Sequence, residues 1–415
     1  MIPRAHLSAP ALNEGTGRQV LQQLRGRFLS VNQGRLARAM EGLAPRQQAL
    51  LNLLALFFHI NHPLLPGYVS ACTPAGVSGY EPDATTLAAA GHLIRDFSCS
   101  MGNSCPLQPI HGLFLMGSLG TLAQTDQSDM DVWICLAPDL SDAAVSALRK
   151  KCRRLEAWAT SQGCEAHFFL IDAQLRNDEG DEPRQRLLLD EFYRTAIWLA
   201  GRTPLWWWVP VHEEARYAEF AGGLLDVRAV GRNETIDLGH LAHIAPGEFL
   251  GAGLWQLFKG IESPYKSLLK LLLIEVYASE HPQVNCLSLD FKQSVYANQL
   301  DLDELDPYVV VYRRIERYLK GRAELQRLEL VRRSLYLKVG HKLSNGETGM
   351  QWQRRLLKRL TREWGWDEQH LAMLDNRSQW QAQQISHERR ALARELSVSY
   401  RSLRQFACDE QTPAL

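Results

Sequence analysis

His111–Ser118 reads HGLFLMGS and Ser128–Leu136 reads SDMDVWICL. The first is a short apolar run that stops in a glycine turn, and the second alternates before becoming wholly apolar, so both predict strands. Between them lie only the residues of a turn. Ser141–Gly163 (SDAAVSALRKKCRRLEAWATSQG) then predicts an amphipathic helix with Ser141 as N-cap, and Cys164–Asp172 (CEAHFFLID) a third strand. Strand, strand, helix, strand is the order of a small mixed α/β sheet.

Working outward, Arg18 to Ile60 carries apolar residues at helical spacing, and the Pro/Gly-rich piece from His62 to Asp83 reads as an irregular connection. A short helix is expected from Ala84 to about Phe97. Beyond Leu187 the pattern reads as helical almost throughout, LLLDEFYRTAIWLAG (187–201) included. The expected fold class is α+β. A helical region at 1–92 precedes an α/β core at 93–215, and a large helical domain at 216–415 completes the site.

Composition narrows the classes of function. The 415 residues hold 46 basic and 46 acidic side chains, a balance that argues against a surface tracking nucleic acid. No apolar run approaches the ~20 residues of a membrane-spanning helix, and no signal-peptide pattern opens the chain. The eight cysteines contain no CxxC pair, which fits idle thiols in a reducing cytoplasm. His59 and His62 have no second ligand pair, so capping or packing is the expected role.

The chemistry sits between the first two strands. Strand alternation places Asp129, Asp131 and Trp133 on one face, with Val132 and Ile134 pointing into the core. Two carboxylates so placed can share a pair of Mg²⁺ ions about 3.5–4 Å apart, with Mn²⁺ as a second possibility. Gly117 lets the backbone approach a phosphate, and Ser118 and Ser128 bring hydroxyls to the same turn. A carboxylate at the rim of a buried strand is costly unless it serves something.

A glycine–serine turn, a spacer and then DxD resembles the DNA polymerase β-like nucleotidyltransferase superfamily. Longer stretches resemble class I adenylate cyclases: HPLLPGY (62–68), HFFLID, LLLDEFYRTA, LWQLFK (254–259), SPYKSLLK (263–270), LDPY (305–308), LELVRRSLYLKV (328–339) and EWGWDEQHLAMLDNR (363–377). The resemblance covers about residues 20 to 408. It implies a cytoplasmic enzyme that converts ATP to 3′,5′-cyclic AMP and pyrophosphate, with two metal ions on Asp129 and Asp131 and phosphates at Gly117 and Ser118. It also implies a C-terminal regulatory region that this sequence lacks. Another transferase of the superfamily, or an inactive nucleotide-binding module, are the competing readings.

Other residues carry two readings each. Trp133 either stacks on the nucleotide or packs against the wall of the site. Ser263-Pro264 predicts a helix start with Lys266 in its first turn and Lys270 one turn on, either touching phosphate or simply solvated. Arg194 is a phosphate contact or a surface ion-pair partner of Asp190. The superfamily adds a third acid from the neighbouring strand. Glu165, on the face of His167 and Phe169, is favoured over Asp172, which shares the apolar face of Ala166, Phe168 and Leu170.

Overall fold

A computed structural model describes residues 14–93, 108–171, 185–344 and 351–411. Its centre is a four-stranded sheet in the order β3-β2-β1-β4, built from β1 (Ile110–Met116), β2 (Met130–Leu136), β3 (Ala166–Ile171) and β4 (Ile197–Gly201). β1 pairs antiparallel with β2, bringing Phe114 opposite Trp133 and Met116 opposite Asp131. β3 lies parallel to β2 with His167 beside Asp131, and β4 closes the other edge antiparallel to β1. The mixed sheet and its strand–strand–helix–strand order are as the sequence implied.

β4 is a correction. LLLDEFYRTAIWLAG does not continue as one helix: the helix stops at Thr195 and Ile197–Gly201 turns into the sheet. The apolar run IWLAG is too short for its periodicity to separate a strand from a buried helical turn, and only pairing with β1 decides. Asn32 covers the far edge, its amide donating to the Trp198 carbonyl at 2.9 Å and accepting from the Trp198 N–H at 2.7 Å. An edge strand so capped offers less backbone for pairing with another chain.

Both faces of β1 and β2 are buried. In chain order the first helices are α1 (Glu14–Glu41), α2 (Pro45–His59), α3 (Ala84–Leu93) and α4 (Asp142–Ser161). Leu113, Leu115, Val132 and Ile134 point to one side, where they meet Leu54, Phe57 and Phe58 of α2 and Leu148 and Leu155 of α4. Ser141 caps α4 as expected, its hydroxyl accepting from the Ala144 N–H. Phe114, Met116, Trp133 and Cys135 point to the other side, into a larger cluster with the helices that follow. Each such side chain contributes about 1.5–3 kcal/mol of burial. His59 and His62 are used locally: His59 accepts from the Val77 N–H, and His62 from the Leu64 N–H.

The remaining elements are α5 (Gln185–Thr195), a two-residue pair of β5 (Thr203–Pro204) with β6 (Thr235–Ile236), and α6 (Tyr217–Asp226). Then come α7 (Pro246–Lys259), α8 (Pro264–Glu280), α9 (Leu287–Tyr296), α10 (Pro307–Gly321), α11 (Leu325–Val339), α12 (Gln351–Glu363), α13 (Glu368–Asp375) and α14 (Ala382–Gln411). α8 is buried along most of its length, and α7, α10, α11 and α14 pack around it. α9 is an element the sequence pattern did not announce. Among the described residues no helix is long and apolar enough to cross a membrane.

Candidate active site

Gly117 follows β1 with φ of +94°, a conformation glycine adopts without steric cost. A Cβ there would lie 3.4 Å from the Asp131 Oδ2, so the turn and the carboxylate are packed together. Ser118 and Ser128 are buried and their hydroxyls share a hydrogen bond of 2.9 Å across the two ends of the spacer loop. Ser128 also accepts from the Thr125 N–H at 3.0 Å. The Met130 N–H donates to the Glu165 carbonyl at 2.9 Å, which fixes where Asp129 leaves the sheet.

Asp131 is half-buried, and its carboxyl pKa is raised, first by burial and then by Asp129. Lys266, His167 and Lys270 act on it in the opposite direction. Neither aspartate has a hydrogen-bonded cation among the described residues. Two neighbouring carboxylates without a cation partner are oxygen donors of the kind that a hard divalent ion such as Mg²⁺ or Mn²⁺ would take.

Lys266 sits in the first turn of α8, half-buried, with no ion pair among the described residues. Ser263 is the N-cap residue, as expected, but its side chain makes no capping bond. Lys270, one turn on, is committed elsewhere: its ammonium lies 2.7 and 3.0 Å from the two Glu191 oxygens. Lys338 on α11 is the residue that the sequence pattern did not single out. Burial lowers its pKa, Lys266 adds to that, and Asp129 opposes it, so the three groups share one region. Its only signal was its place in LELVRRSLYLKV.

Other expected site residues are placed differently. Trp133 is buried and stacks on Phe192 with ring centroids 4.9 Å apart, which is the packing role. Arg194 is paired with Asp190 at 3.9 Å, inside the protein rather than on its surface. Glu165 lies on the expected face, yet its carboxylate is exposed and bonded to His167 at 3.2 Å. Among the described residues no group of three or more His, Cys, Asp and Glu stands close enough to hold a metal, so Glu165 is not gathered with Asp129 and Asp131. Asp172 lies outside the described residues.

The Lys270–Glu191 pair has a consequence for stability. Burial works against the Glu191 charge, but Lys270, Arg194 and Lys266 outweigh it and hold the carboxyl at about 2, below its ordinary 4.5. A depressed folded-state pKa contributes stability that is full above pH 4.5 and is lost as pH falls toward about 2. That contribution is on the order of 2–3 kcal/mol. Glu191→Gln should therefore be less stable at neutral pH and lose less on acidification. Urea midpoints at pH 7 and pH 3 measure this, and parallel losses in parent and variant would refute it.

Two family models match the chain. The adenylate cyclase NT domain covers residues 20–207, and the class-I adenylate cyclase second domain covers residues 244–414. The adenylate cyclases of Escherichia coli (strain K12) and Salmonella typhimurium are 38% identical to it over 401 and 402 residues. That of Proteus mirabilis is 36% identical over 402 residues. These alignments take in 93% of this chain but only 46–47% of the relatives, so the chain spans about half their length. No solved structure matches it. The chain belongs to the class I adenylate cyclase family.

Proposed function

We propose that the chain is an adenylate cyclase that converts ATP to 3′,5′-cyclic AMP and pyrophosphate in the cytoplasm. The observation that carries this reading is that Asp129 and Asp131 lie near enough to Lys266 and Lys338 for their charges to act on one another, in a chain whose relatives bear that name. The turn at Gly117–Ser118 and the aspartates at the start of β2 also support a polymerase β-like nucleotidyltransferase core for the sheet.

In this reading Asp129 and Asp131 hold the divalent ions. Bound there, Mg²⁺ would make the ribose 3′-OH easier to deprotonate and offset the triphosphate charge. Gly117 leaves room for a phosphate against the backbone, and the Ser118–Ser128 bond keeps the turn in shape to receive it. Lys266 and Lys338 bring positive charge to the departing pyrophosphate, where a preset charge costs no reorganisation. Lys270 acts at one remove, keeping Glu191 ionised and pinning α5 to α8.

The test is to incubate the purified chain with ATP and Mg²⁺ and to identify the products. Cyclic AMP with pyrophosphate and no acceptor is expected; transfer of AMP to an acceptor would favour another transferase of the superfamily. Lys266→Ala should cut kcat/KM by about 10- to 100-fold, the worth of one charge-assisted contact of ~1.5–3 kcal/mol. Unaltered kinetics would return Lys266 to the solvated face of α8.

A further inference from the structure

Residues 119–127 join the glycine–serine turn to the aspartates, and helices far along the chain grip this loop. Gln353 on α12 is fully buried. Its Nε2 lies 3.0 Å from the Thr121 carbonyl, 3.1 Å from that of Leu122 and 3.1 Å from that of Gln124. Its Oε1 is engaged by the His341 Nε2, which leaves the NH₂ end of the amide for the loop. Asp306 accepts from the Leu122 N–H at 2.7 Å while its other oxygen caps α10. Gln124 ties the loop to α1, donating to the Ala39 carbonyl at 2.9 Å, and accepts from the Gly120 N–H at 2.7 Å.

The loop has Ser118 before it and Ser128–Asp129 at its far end, so its shape sets the distance between the turn and the first aspartate. We propose that Gln353 is a positioning residue for the active site: its amide nitrogen, shared among three loop carbonyls, fixes Asp129 relative to Gly117 and Ser118. The proposal rests on the cyclase reading given above. It assigns to α12 a role that acts through the loop, by way of the Thr121, Leu122 and Gln124 carbonyls. Without the amide, the Leu122 and Gln124 carbonyls lose this donor, the Thr121 carbonyl keeps only the Gln124 N–H at 3.1 Å, and the loop relaxes to find others. A displacement of about 1 Å in a reacting group costs roughly 100-fold in rate.

Gln353→Met keeps the volume and removes the donor; Gln353→Glu keeps the shape and points an oxygen at the carbonyls. Both should lower kcat for cyclic AMP by about 10- to 100-fold, with KM for ATP changed by less than about threefold. The Mg²⁺ concentration for half-maximal rate should rise, because Asp129 is misplaced. Trp352→Phe, one residue away in the same helix, should lower the melting temperature at most and leave kcat and Mg²⁺ dependence as in the parent. A folded Gln353→Met with parental kcat and Mg²⁺ dependence would overturn the proposal. If Gln353→Met does not fold, His341→Ala, which frees the amide to turn over, should show the same pattern more weakly, and parental kinetics there would overturn it. A parent chain that makes no cyclic AMP would sink the functional reading instead. The positioning role then stands or falls on amide hydrogen exchange of residues 119–127, which should speed up in Gln353→Met.

Discussion

Asp131→Asn should give a folded chain that makes cyclic AMP at least about 10³-fold more slowly than the parent, a loss of ~4 kcal/mol in transition-state stabilisation. The substitution keeps the shape of the side chain and removes the charge that a divalent ion needs. It should not cost stability. Burial and Asp129 hold the Asp131 pKa above its ordinary value, so ionised Asp131 weakens the folded state at neutral pH, and a neutral amide relieves that strain. Asp129→Asn should lose activity equally. The check is a cyclic AMP assay paired with urea unfolding: a midpoint at or above the parent's, with turnover gone, is the expected pair. Activity above a tenth of the parent's in either variant would remove that aspartate from the metal site.

The second large effect is on the fold. Glu214 is buried, accepts from the Trp206 Nε1 at 3.1 Å and the Leu241 N–H at 2.8 Å, and lies 3.2 Å from the Lys292 ammonium. Lys292 is fully buried, donates to the Val209 carbonyl at 2.8 Å and sits 3.5 Å from the centre of the Trp206 ring. Glu214→Ala strands a buried charge and two donors, which costs about 3–5 kcal/mol. The loss should depend on pH. Burial lowers the Lys292 pKa to about 8 from 10.5, with Glu214 pulling it back up. Between those values the unfolded chain binds the extra proton, so stability rises with pH across that window. Without Glu214 the folded pKa drops further, and the deficit should be largest at pH 7 and smaller at pH 9.5. Adding Lys292→Met to the variant should recover much of it. A midpoint loss under about 1 kcal/mol, or one flat in pH, would contradict this account.

The first hairpin and its motif were legible because two signals agree there: period-two alternation and a glycine turn at the junction. The parity that put Asp131 opposite Val132 survives intact in the sheet, since one face carries Trp133 and the other Ile134. Parity also put Glu165 on the side of His167, and the two bond. It could not say that an edge strand leaves that carboxylate free to bond His167. β4 escaped because its partner is more than 80 residues away and five apolar residues have no period of their own. Lys338 and Gln353 escaped for a related reason. Each meets the loop across more than 200 residues of chain, and nothing local in α11 or α12 marks one polar side chain as the one that reaches it.

The two central strands of the sheet have no outward face. Phe114 and Trp133 lie in one cluster with Phe28 of α1, Phe192 of α5, Leu271 of α8 and Leu403 of α14, members drawn from both matched family domains. A gene broken between codons 207 and 244 would therefore encode two products, each with a large oily surface and prone to clump before finding the other. Recombination could not pass either half alone to a new host protein without also supplying a substitute for the lost wall. Compensating changes on the two sides of that shared cluster should be inherited together.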